Sequence, residues 1–170
     1  NFATGIAFRT GSSHIRIRDC RVFDSTGATV MGRMGILVLE SNYVWIERNH
    51  LRDGLRLKAG GGGDRLIIEN NLIEEPNDNG IALATFDADS QTVNYIVRGN
   101  IIKAARGAFI YVGDDHLKVE DHPQPESGIV YQNIIIDGNL LLGPVQVDQV
   151  MIVVNMANIT ERLHIVNNIL

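Results

Sequence analysis

Acidic side chains gather downstream of two glycine-led segments. Gly80-Ile81-Ala82-Leu83 is followed by Asp87 and Asp89, and Gly107-Ala108-Phe109-Ile110 by Asp114, Asp115 and His116. Aligning Gly80 with Gly107 sets Asp87 beside Asp114. Carboxylates held that close raise one another's pKa or share a cation. Asp87, Asp114 and Asp115 are therefore candidate catalytic acids, and Asp87, Asp89 and Asp114 a candidate Ca²⁺ set. Two carboxyls about 6.5–9.5 Å apart can hydrolyse a glycosidic bond with inversion, one donating a proton and the other activating water. Elimination from a uronate needs instead a cation and a base, and Lys58 is the candidate base. Turn aspartates also occur for structural reasons alone, which is the competing reading.

The same glycine-led segments supply candidate binding residues. Side chains alternate across a strand. With the residue after each glycine inward, the outward positions are Leu37 and Leu39, Arg56 and Lys58, Ala82 and Ala84, then Phe109 and Tyr111. Cationic, small and aromatic rungs make a shallow groove: aromatic rings pack on the apolar face of a pyranose, and Arg or Lys pairs with a uronate. Arg56, Phe109, Tyr111 and His116 are the candidate substrate contacts. A merely solvated face for Arg56 and Lys58, and burial under a loop for Phe109 and Tyr111, are the plainer alternatives.

What must position these residues is a repeat. Six segments have the form apolar-x-apolar-x-x-Asn-x-apolar, as in Val44-Trp45-Ile46-Glu47-Arg48-Asn49-His50-Leu51 and Ile134-Ile135-Ile136-Asp137-Gly138-Asn139-Leu140-Leu141. The anchors are Cys20, Asn49, Asn71, Asn100, Asn139 and Asn168, spaced 29, 22, 29, 39 and 29 residues apart. Two short strands per repeat, rich in β-branched residues and without helical period, indicate a β-solenoid over a leucine-rich or helical array. Stacked coils lie about 4.8 Å apart, so the anchors are expected to form a ladder of amide hydrogen bonds. The residues before them are Asp19, Arg48, Asn70, Gly99, Gly138 and Asn167; four are Gly or Asn, which accept a left-handed bend. Cys20 reads as a small interior residue in the asparagine place.

This pattern resembles the right-handed parallel β-helix superfamily typified by pectate lyases, polygalacturonases and phage tailspikes, over nearly the whole chain. The implied fold is all-β, a right-handed parallel β-helix of about six coils with an asparagine ladder. The implied function is binding and cleavage of a polysaccharide, by a lyase or a glycoside hydrolase, in an extracellular or cell-surface setting. Gly113-Asp114-Asp115 resembles the paired aspartates of polygalacturonases, and the superfamily's lyases commonly use Lys or Arg as base. The Gly-His-Gly and Arg-x-Lys elements of polygalacturonases are absent. The rival reading is a non-catalytic structural solenoid, such as a fibre, tailspike or adhesin segment.

The remaining features bound these readings. The net charge of -5 supplies no basic excess for nucleic acid. No apolar run approaches the roughly 18 residues of a membrane span, and no signal peptide opens the segment. One cysteine excludes an internal disulfide framework. Neither end offers a polar cap, so residues 1–170 are expected to be one β-helix domain cut from a longer chain or capped by another. Outward positions four before the anchors give an apolar stripe of Trp45, Ile67, Ile96 and Ile135, a candidate surface for other parts of the chain or for a homo-oligomeric partner. The polar stretch 114–128 reads as an excursion from the solenoid. The run Ala59-Gly60-Gly61-Gly62-Gly63-Asp64 reads as a flexible turn or a place of close approach by a ligand.

Overall fold

A computed structural model describes residues 4–9, 11–23, 33–60, 62–85, 91–114, 130–143, 151–155 and 159–170. Its strands form three sheets with every pairing parallel. The first sheet stacks β1 (Thr4–Phe8), β4 (Met34–Leu39), β7 (Arg56–Gly60), β10 (Ile81–Thr85), β13 (Ile110–Asp114) and β16 (Ile152–Asn155). The second stacks β2 (Ser13–Arg18), β5 (Asn42–Glu47), β8 (Gly63–Glu69), β11 (Gln91–Arg98), β14 (Val130–Asp137) and β17 (Ile159–Val166). The third, of three-residue strands, stacks β3 (Arg21–Phe23), β6 (His50–Arg52), β9 (Leu72–Glu74), β12 (Ile101–Lys103) and β15 (Leu140–Leu142). Each of the first five coils contributes one strand to each sheet, and the last contributes β16 and β17 to the first two, which is the parallel β-helix expected from the repeat.

The core follows from alternation. Ile17, Ile46, Ile68, Val97 and Ile136 stand in register on the second sheet, and all are buried. Each fully buried aliphatic side chain of this kind contributes roughly 1.5–3 kcal/mol. Tyr95 occupies the neighbouring inward column between Leu66 and Ile134. Burial pushes its hydroxyl far above the usual phenol range, so it stays protonated.

The anchors form the expected column. Asn49 donates through Nδ2 to Asn71 Oδ1 at 3.0 Å, Asn71 to Asn100 at 2.9 Å, Asn100 to Asn139 at 3.0 Å and Asn139 to Asn168 at 2.9 Å. Each Oδ1 also accepts the backbone N–H of the preceding anchor, including that of Cys20 at 3.0 Å. The second Nδ2 proton goes to a carbonyl of the preceding coil, as from Asn100 to Ile68. A buried amide is thus satisfied on all sides. Cys20 is half-buried against the core and donates through Sγ to the Arg18 carbonyl at 3.3 Å.

All six residues before the anchors are left-handed, with φ between 51° and 61°. That includes Asp19 and Arg48, whose side chains carry the strain less readily than Gly or Asn. They clasp each other instead, Arg48 Nε and Nη2 donating to the two Asp19 oxygens at 2.8 and 2.9 Å.

Two glycines of the run are packing devices. Gly60 (φ 140°) closes β7 and Gly63 (φ 131°) opens β8. A Cβ at Gly60 would lie 2.6 Å from the Ala84 carbonyl oxygen, and one at Gly63 would lie 2.3 Å from that of Ser41. At Gly60 and Gly63 the close approach is made by backbone of neighbouring coils.

Candidate functional site

On the outer face of the first sheet, register sets Leu37, Lys58, Ala82, Tyr111 and Val153 in one column. The cationic, small and aromatic rungs expected from the sequence are therefore neighbours. Their exposure differs from expectation. Leu57 and Ala59 fill the core, so Lys58 points away from it, yet Lys58 is only 1% exposed, and Leu37, Ala82 and Ala84 are buried too. Strand alternation gives direction, not access to water. The Lys58 side chain is thus shielded from solvent. Tyr111 is half-buried.

Arg56 and Phe109 also depart from the groove. The Arg56 guanidinium is closed onto the Asp78 carboxylate, and the residue is buried. Phe109 is fully buried in the core. It precedes β13, at a corner where alternation has not begun, and its backbone N–H donates to the Met151 carbonyl.

The acids are displaced in register. Ile81 pairs with Ile110 and Thr85 with Asp114, so Gly80 stands level with Phe109, two residues beyond Gly107. The neighbour of Asp114 in the sheet is Thr85, and the alignment that set Asp87 there does not hold. Asp87, Asp89, Asp115 and His116 lie outside the described residues, and Asp114 is described by its backbone alone. Among the described residues no group of three or more His, Cys, Asp or Glu side chains is arranged to hold a metal.

The second sheet carries the apolar stripe. Trp45, Ile67, Ile96 and Ile135 are in register and each is half-buried. Beside it runs the charged row Glu47, Glu69, Arg98 and Asp137. It is less solvated than its composition implies: Glu47 is 5% exposed, held between the guanidiniums of Arg16 and Arg48.

A cleft that sequence reasoning missed opens on the third sheet. It has a volume of about 350 Å³ and is lined by Arg21, Val22, Phe23, His50 and Arg52. Arg21 pairs in register with His50, and Phe23 with Arg52. Phe23 is 57% exposed, with the Arg52 guanidinium 5.4 Å from its ring centroid. His50 Nε2 lies 2.6 Å from Glu74 Oε2, and Lys103 Nζ donates to Glu74 Oε1 at 3.0 Å. These partners hold the Glu74 carboxyl below its usual range, Lys103 most and His50 next. The signal was available in the repeat: Arg21 and His50 each follow an anchor by one residue, Phe23 and Arg52 by three.

Comparison with curated proteins and with solved structures finds no match. The family model described as "Right handed beta helix region" matches residues 1–168. With its three parallel sheets and its asparagine column, the chain belongs to the right-handed β-helix family.

Proposed function

We propose that this β-helix binds a polysaccharide along the outer face of its first sheet, with Tyr111 as the ring contact, and cleaves it at the adjoining strand end. The observation that carries the reading is the shared column of Ala82, Tyr111 and Val153, with Asp114 closing the same strand as Tyr111. A half-buried aromatic beside small residues gives a sugar ring a flat apolar contact, and a carboxyl within the same strand end is a candidate proton donor. Asp87 and Asp115 are the companion acids of this reading, with His116 as a further contact. Ca²⁺ at Asp87, Asp89 and Asp114 is the lyase variant of it. An extracellular or cell-surface setting follows from the substrate.

The second reading is a non-catalytic structural solenoid, favoured by the burial of Lys58, Ala82 and Ala84. Tyr111→Ala and Asp114→Asn, each checked for fold by circular dichroism, separate the two on a panel of acidic and neutral polysaccharides. Catalysis predicts loss of binding in the first variant and loss of product release in the second. A wild-type chain that neither retains nor cleaves any member of the panel would leave the structural reading standing alone.

A further inference from the structure

We propose that the third-sheet cleft is a separate subsite for a sugar unit carrying an acidic group. Among the described residues the cleft lining contains two arginines and a histidine and no carboxylate, on a chain whose net charge is -5. This local reversal of sign concentrates anions where the rest of the molecule repels them. Arg21 is exposed and makes no ion pair among the described residues. The carboxylate bridged to Arg52 is that of the adjacent Asp53, at 3.1 Å. The Arg21 guanidinium is thus positioned to take a carboxylate or sulfate in a forked geometry, with Arg52 adding positive charge beside it.

Phe23 supplies the other half of the recognition. The Arg52 guanidinium covers its ring on one side, and the exposed remainder offers an apolar platform of the kind that packs on sugar C–H groups. His50 also lines the cleft, fixed by Glu74, which Lys103 also holds. The volume of about 350 Å³ lies in the range of roughly 300–1,000 Å³ typical of small-ligand sites. The sugar half of the inference rests on the polysaccharide reading above; the anion half rests on the cleft alone.

Calorimetric titration of the intact chain tests both halves. The probes are a sulfated disaccharide, a diuronate, a neutral disaccharide and inorganic sulfate. The proteins are wild type, Arg21→Ala, Phe23→Ala, Tyr111→Ala and the double variant of Arg21→Ala with Tyr111→Ala, each checked for fold by circular dichroism. At least one acidic disaccharide should bind wild type about tenfold or more tightly than the neutral one, and about tenfold more weakly in Arg21→Ala. Phe23→Ala should weaken it several-fold, and Arg21→Ala should weaken it by a similar factor when made in a Tyr111→Ala background. The stronger of the two acidic probes identifies sulfate or carboxylate as the group read. Neutral and acidic probes binding alike, or wild-type affinity in both cleft variants, would overturn the subsite, as would no binding of any probe. Inorganic sulfate binding as tightly as the best disaccharide would overturn the sugar half. Failure of the first-sheet reading shows separately, as Tyr111→Ala retaining polysaccharide.

Discussion

Asn71 and Asn100, 29 residues apart in the chain, meet side chain to side chain at 2.9 Å, and Asn100 Oδ1 takes the Asn71 backbone N–H as well, at 3.0 Å. Both are buried, so neither bond has water as a substitute. One oxygen therefore satisfies two buried donors of the coil before it. The column converts insertions of different length between anchors into a single rise per coil, since whatever loops out, the amides must meet.

Replacing Asn100 by Ala orphans those two donors of Asn71 and removes the side-chain partner of Asn139 Oδ1, which keeps the backbone N–H at position 100. At about 1–3 kcal/mol for each buried group left unsatisfied, the loss should be roughly 3 kcal/mol or more. Urea unfolding monitored by circular dichroism measures it. A change below about 1 kcal/mol would mean that the ladder contributes shape without stability.

At Gly63, alanine meets both an unfavourable φ of 131° and the Ser41 carbonyl oxygen 2.3 Å from its Cβ. The backbone conformation alone costs about 1–3 kcal/mol. Thermal melts should show a clear fall in midpoint for Gly63→Ala. Exposed Gly138, where a Cβ would meet nothing within 4 Å, is the control. With φ of 61° it tolerates Asn with little loss.

Glu74 makes stability depend on pH. Its carboxyl is held below its usual 4.5 by the hydrogen bond from Lys103 and, next, that with His50. A carboxyl whose folded pKa is depressed contributes stability above the unfolded value and loses it as pH falls through the folded one. Melting midpoints of wild type should therefore fall as pH drops below about 4.5, and Glu74→Gln should flatten part of that slope. Parallel curves for the two proteins would contradict this account of the contact.

Burial of Lys58 is open to chemical test. Lys103 has 43% of its side chain exposed, whereas Lys58 is 1% exposed. Limited acetylation of the folded chain, read by mass spectrometry, should modify Lys103 well before Lys58. Equal reactivity would return Lys58 to the groove and to its role as candidate base.

The sequence revealed what repeats. The anchor spacing located every rung of the ladder, and the apolar alternation located the inward columns, because both demand the same residue type coil after coil. Access to solvent does not repeat, so the exposure of Lys58 and Arg56 was not legible: Arg56 turns onto Asp78, a residue outside the strand pattern. Phe109 takes the plainer of its two readings, burial, because hydrogen bonding starts the strand at Ile110 and leaves Phe109 at the corner before it. The register of Asp114 failed, since alignment by glycines slips two residues from alignment by strand pairs. The cleft was missed because its strands are three residues long, too short to show a period.

The most direct test of the functional account is amide chemical-shift mapping of the isotopically labelled chain during titration with oligosaccharides from a polysaccharide that it retains. The account predicts shifts concentrated on Ala82, Tyr111, Gly113 and Val153, with a second group on Arg21 to Phe23 and His50 to Arg52 when the sugar is acidic. Shifts confined to the second-sheet row of Trp45, Ile67, Ile96 and Ile135, or the absence of shifts with every oligosaccharide tried, would contradict it.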